Sequence, residues 1–248
     1  MIYLHAEPGD LSRAIQAVNE DIRCVEDWAC SSQLALNSGK TSAMILGTAR
    51  YVNNISLESI PHIQVDNAVI QYKESVVYLG ITISNTMTWD IQVTKTVSRV
   101  NATLYQLKLC AHLFPMPLRS RMVQTLVMPL FDYCCAVLTD LTGVLNTRLQ
   151  RALNASVRYI FRVKWDEHIS PYFDKLAWLK ISTRRKYFVG CLLYSILHNK
   201  RPADLYCAFN YRENVALRAT RAPDNSLVLP ICRTQLYKRS FRCSAIDL

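Results

Sequence analysis

The sequence predicts an α+β protein that is predominantly α-helical: one helix and a small antiparallel sheet, then a helical remainder. Two observations carry this prediction. The apolar periodicity changes near residue 88, from short β-branched runs to long helical stripes. The charge changes at the same point. Residues 1–88 hold five Lys/Arg against nine Asp/Glu, a net of −4, whereas residues 89–248 hold 24 against 10, a net of +14. Half of the 248 residues are apolar, enough to bury one large core or two small ones. The most apolar run, 122–138, is interrupted by Gln124, Pro129 and Asp132, so no membrane span is expected. Residues 1–5 have no basic stretch ahead of an apolar one and are not read as a signal peptide.

The first helix is expected from Asp10, as cap, to about Trp28, because Leu11, Ile15, Val18, Ile22, Val25 and Ala29 recur at steps of three and four. Glu20, Asp21, Glu26 and Asp27 lie largely off that stripe and are read as a solvated face rather than metal ligands. A short strand is expected at 42–47. Two strands are expected within 63–70 around an Asp66-Asn67 turn, and one at 75–83, where β-branched residues are dense. Five helices follow, at 89–113, 118–138 (kinked at Pro129), 145–163, 170–179 and 182–198. Beyond Arg201 the periodicity fades into an irregular basic tail, with one short strand at 227–229. The chain thus divides into 1–88, 89–200 and 201–248.

Nine cysteines occur without any Cys-x-x-Cys spacing. They are read as mostly buried thiols of an intracellular protein, nuclear or cytoplasmic placement being left open. Ser38-Gly-Lys40-Thr41 ends like a phosphate-binding loop. Position 34 is Leu34 rather than glycine, and the segment follows a helix and precedes a strand, so a nucleotide-hydrolysing loop is excluded. The five histidines are scattered, and no acidic cluster has nuclease spacing.

The basic features are more informative. At 100° per residue, Arg148, Arg151, Arg158 and Arg162 fall within a sector of about 80°, opposite Leu149, Leu153, Val157 and Ile160. A stripe of arginines without interleaved acids suits a phosphate backbone. Arg184-Arg185-Lys186 opens the last long helix, where cations oppose the macrodipole; either an anionic partner or compensating acids within the protein would justify them. Tyr187, Phe188, Tyr194, Tyr206 and Tyr211 lie near basic residues and are candidates for stacking on bases, although aromatics at helical spacing are more often core.

The order of segments resembles the reverse transcriptases of non-LTR retrotransposons, closest to jockey-like and CR1-like elements. The resemblance rests on Ile2-Tyr-Leu-His5, the helix ending Asp27-Trp28-Ala29, Leu34-Ala-Leu-Asn37-Ser-Gly-Lys40-Thr41, Val77-Tyr-Leu-Gly-Ile-Thr-Ile83 and Thr88-Trp89. Farther on it includes Met128-Pro-Leu-Phe-Asp-Tyr133, Leu149-Gln-Arg-Ala-Leu153, the 218–221 segment and Tyr237-Lys-Arg-Ser-Phe241. It implies the end of a polymerase palm at 1–88, a helical thumb-like domain at 89–200 and the basic tail at 201–248. Lys40 would approach the incoming nucleotide's phosphates and act as general acid for pyrophosphate. Asn37 would shape the loop presenting Lys40. Tyr78, Leu79 and Gly80 would hold the primer terminus. The helices after Trp89 would grip an RNA template and DNA primer as an RNA–DNA hybrid.

The family's two adjacent metal-binding aspartates, in a Tyr-Ala-Asp-Asp box, would precede Met1 and do not occur in these 248 residues. The resemblance therefore implies no cofactor held by this chain, Mg2+ being expected only for a complete polymerase, and no polymerase activity from the chain alone. The competing reading is a non-catalytic nucleic-acid-binding or protein-interaction remnant.

Overall fold

The computed structural model describes residues 1–212 and 226–248, apart from the side chain of Glu58. Arg218 and Arg221 of the resemblance lie outside the described residues. The chain divides into two units, Met1–Gln92 and Val93–Leu248.

In the first unit a 3-10 turn, Pro8–Asp10, leads into α1, Leu11–Ser31. Asp10 occupies the cap position, but its side chain accepts no hydrogen bond there. The apolar stripe is real: Ile15, Ile22 and Ala29, seven residues apart, are buried. A single turn of helix, α2, covers Ala49–Val52. β1, Ile63–Val65, pairs antiparallel with β2, Ala68–Ile70, placing Ile63 opposite Ile70. Asp66 and Asn67 take φ of 50° and 62°, the two left-handed residues that a tight hairpin turn needs. Ile15 and Ile22 of α1 form one core with Ile63, Val65 and Ile70 of this hairpin.

Polar side chains of α1 fix that packing. The Asn19 amide donates to His62 O at 3.0 Å while its carbonyl accepts from Gln64 N–H at 3.1 Å. Glu26 Oε1 accepts from Asp66 N–H at 2.6 Å.

Two strand expectations are corrected. The single strand expected at 75–83 is a second hairpin, β3 (Ser75–Tyr78) against β4 (Ile81–Ser84). The chain reverses at Leu79 and Gly80, with φ of 46° and 78°. Residues 42–47 form no strand; Ala43 makes one isolated bridge with Tyr72, so the segment is extended but unpaired along most of its length.

The second unit holds most of α3, Asp90–Leu109, which stops four residues earlier than expected and gives way to a 3-10 turn at Ala111–Leu113. The kink expected at Pro129 is a complete break between α4, Met116–Leu126, and α5, Met128–Asp132. Pro129 has no N–H to donate across the junction. A left-handed Cys134 then ends the segment before a 3-10 turn at Cys135–Val137. α6, Gly143–Phe161, starts at Thr142, whose hydroxyl accepts from Leu145 N–H at 3.3 Å. Leu145, Leu149, Leu153, Val157 and Ile160 bury its inner face against neighbours that include α4 and α8. α7, Ser170–Leu176, and α8, Ile181–Asn199, follow.

The tail is less irregular than expected. After α9, Ala203–Cys207, Tyr211 bridges Leu227 in place of the strand expected at 227–229. Two short helices close the chain, α10 (Gln235–Lys238) and α11 (Phe241–Ile246), the latter packed on α8.

The cysteine reading also needs correction. Cys24, Cys30, Cys110, Cys191 and Cys207 are exposed, and only Cys135 and Cys243 are buried. Small thiols on outer helix faces and helix ends need no burial to be tolerated. Among the described residues no helix is long and apolar enough to cross a membrane.

Candidate nucleic-acid interface

Three hydrogen bonds set the geometry of the basic face. Arg148 donates to Thr94 Oγ1 at 2.9 Å, the Tyr159 hydroxyl to Leu107 O at 3.3 Å, and Arg162 to Ala111 O at 2.6 Å. The sequence separations are 54, 52 and 51, nearly constant, so the two helices run side by side in the same direction. No Asp or Glu occurs between Val93 and Leu126, nor between Gly143 and Trp165. From Val93 on α3 and throughout α6 no acid occurs; Asp90, in the first turn of α3, is exposed about 40° from Thr94.

The four arginines of α6 differ in what they do. Arg151 is exposed, with no hydrogen bond or ion pair among the described residues. Arg148 is half-buried and tied to α3 through Thr94. Arg158 holds the loop after the helix, donating to Trp165 O at 2.9 Å and at longer range to Lys164 O and Glu167 O. Arg162 lies one residue beyond the helix, in the left-handed conformation with φ of 56°. Arg158 and Arg162 thus serve carbonyl oxygens around the negative end of the α6 dipole. Each guanidinium has five donors, so the outer N–H groups stay available.

A fifth arginine was missed from sequence. Arg119 of α4 is only 6% exposed and donates to Tyr159 O at 2.9 Å. Burial, and then the nearby Arg162, lower its pKa from the usual arginine value. Nothing in the local sequence marks it, because its burial depends on α6 packing over α4. Also missed were Asn101, Tyr105 and Lys108 of α3, all exposed and within the acid-free span. At 100° per residue Asn101, Tyr105 and Lys108 lie within about 40° of Thr94, on the exposed side of α3 away from its buried Val93, Val100, Leu104 and Leu107. The Tyr105 ring is 63% exposed. Their signal was legible as a 34-residue span without a carboxylate.

At the start of α8 the cations are differently engaged. Arg184 makes a two-pronged ion pair with Asp132, Nε to Oδ1 at 2.5 Å and Nη2 to Oδ2 at 2.6 Å, and lies over the Phe188 ring. The hydrogen bond to Asp132 is the main reason that its pKa is raised. Arg185 donates to Asn146 Oδ1 at 2.7 Å, and burial lowers its pKa. Asp132 is thus a compensating acid within the protein, the alternative to an external anion at Arg184. Lys186 is exposed.

Of the aromatics expected to stack, Tyr187 and Tyr194 expose their rings on α8, while Tyr206 and Tyr211 are half-buried. Tyr194 stacks on His198, the ring centroids 5.5 Å apart and the planes 9° from parallel. Phe188 packs edge-on to Tyr187.

In the first unit Lys40 is exposed at the end of a 3-10 turn, Ser38–Lys40. Asn37 caps that turn: its side-chain oxygen accepts from Lys40 N–H at 3.0 Å, and its backbone oxygen from the Thr41 hydroxyl at 2.9 Å. A Cβ on Gly39 would come within 3.3 Å of the Asn37 side-chain oxygen, a tight contact against the cap. Tyr78, Leu79 and Gly80 form the tip of the β3–β4 hairpin, with Leu79 72% exposed. They belong to a tip rather than to the mid-strand position expected. Among the described residues no group of three or more His, Cys, Asp or Glu side chains is arranged to hold a metal ion.

Comparison with known proteins adds no assignment: no family model, curated protein or solved structure matches this chain.

Proposed function

We propose that this chain is the downstream part of a non-LTR retrotransposon reverse transcriptase, whose helical unit holds an RNA–DNA hybrid by its phosphate backbone. The observation that carries the binding half of this reading is the acid-free run of α3 from Val93 and of α6, on which Arg151 has no intramolecular partner among the described residues. Cations that no carboxylate neutralises attract a polyanion and release its counterions on contact. The ordered sequence motifs support the family half.

In this reading Lys40 meets the phosphates of the incoming nucleotide, and the hairpin tip at Tyr78, Leu79 and Gly80 meets the primer end. Its capped turn suits Lys40 to that task, because the Asn37 hydrogen bonds fix the backbone and leave the amine in water. Nucleotidyl transfer requires carboxylates holding two divalent ions. The reading assigns those, and Mg2+, to a complete polymerase, and expects no primer extension from these 248 residues alone.

The exposed apolar tip formed by Val77, Tyr78 and Leu79 favours a second reading, a protein-interaction remnant. Fluorescence anisotropy of the purified protein separates the two. Tighter binding to RNA–DNA hybrid than to heparin of matched charge, weakening with salt, supports the first reading. No binding to hybrid at low salt leaves the second.

A further inference from the structure

Cys232 and Cys243 make the only sulfur–sulfur contact among the described residues, their Sγ atoms 3.4 Å apart. Cys243 is buried within α11, and Cys232 is half-buried in the segment ahead of α10. We propose that these two thiols form a redox modification site, closing to an intrachain disulfide in the presence of a low-molecular-weight disulfide. The inference stands independently of the function proposed above.

The chemistry proceeds by exchange. The more accessible Cys232 attacks the small disulfide, loses its proton to solvent and becomes a mixed disulfide, releasing one small thiol. Cys243 then attacks the Cys232 sulfur, displacing the second small thiol and losing its own proton. The protein gives up two hydrogens, and the small disulfide is reduced to two thiols.

Contact of the two sulfurs makes the second step intramolecular, with little chain movement needed to bring them to bonding distance. No comparable contact is available to the exposed Cys24, Cys30, Cys110, Cys191 and Cys207, which are expected to stop at the mixed disulfide. The closed loop carries Arg233, Lys238, Arg239 and Arg242 and no acid, so closure fixes a basic segment against α8.

The test uses the full chain in native buffer. It is incubated with oxidised glutathione, its free thiols are blocked, and it is digested with trypsin without reduction. The expected product joins the 222–233 peptide to the 243–248 peptide through one disulfide, with both cysteines absent from the blocked and glutathionylated pools. In the Cys232→Ser variant Cys243 is expected to stay free or glutathionylated and to link to nothing. Cys232 and Cys243 both remaining open to the blocking reagent, or joined to other cysteines, overturns the proposal.

Discussion

α6 and the start of α8 look alike in sequence, two arginine-rich helical segments without acids, yet their cations are spent differently. Arg184 and Arg185 turn inward to Asp132 and Asn146, while Arg151 is exposed with no partner among the described residues. The difference lies in what the neighbouring helices present. The α5 end places Asp132 beside α8, whereas the contacts of Arg148 and Arg162 with α3 and the turn after it are to a hydroxyl and a carbonyl oxygen. A count of cations is thus no measure of a binding face; the destination of their hydrogen bonds is.

The comparison can be broken at several points. The largest effect is expected opposite the arginine stripe. Leu153 is fully buried, and Leu153→Ala should destabilise the second unit by about 2–5 kcal/mol in urea unfolding. Next comes the ion pair. Arg184→Ala leaves the half-buried Asp132 carboxylate without its partner and should cost about 1.5–3 kcal/mol, with Arg184→Lys recovering only part because an ammonium cannot make the two-pronged contact. Arg151→Ala should leave stability within about 0.5 kcal/mol while lowering the salt slope of hybrid binding by about 0.9. If Arg151→Ala unfolds the protein as readily as Arg184→Ala, the two segments are alike after all.

The smallest effect concerns a helix end. α7 stops at Ala177 in the left-handed conformation, with φ of 52°, where glycine is favoured. Ala177→Gly should stabilise by roughly 0.5–1 kcal/mol, read as a rise in the urea midpoint.

Long amphipathic periodicity was legible in the sequence: α1, α3, α6 and α8 lie where their stripes put them. The Asp66-Asn67 turn was legible as well, because few residues adopt two successive left-handed conformations. The β3–β4 hairpin was hidden by its own composition. Leu79 is an unusual turn residue, and the β-branched residues on either side read as one continuous strand. Residues 42–47 were misread for the opposite reason, since a strand requires a partner along its length and, among the described residues, the backbone of this segment is held only at Ala43, bridged to Tyr72, and at Gly47, whose N–H donates to Asn85 O. At the candidate interface the acid-free spans and the stripe were legible. The carbonyl partners of Arg158 and Arg162, the burial of Arg119 and the Asp132 contact were not, because each depends on which helix lies alongside.

The direct test of the central claim is the salt dependence of hybrid binding by the native protein and by a variant carrying both Arg148→Ala and Arg151→Ala. The account predicts a folded variant whose log–log slope is shallower by about 1–2. An unchanged slope in a folded variant would mean that the α3–α6 face does not meet the phosphate backbone.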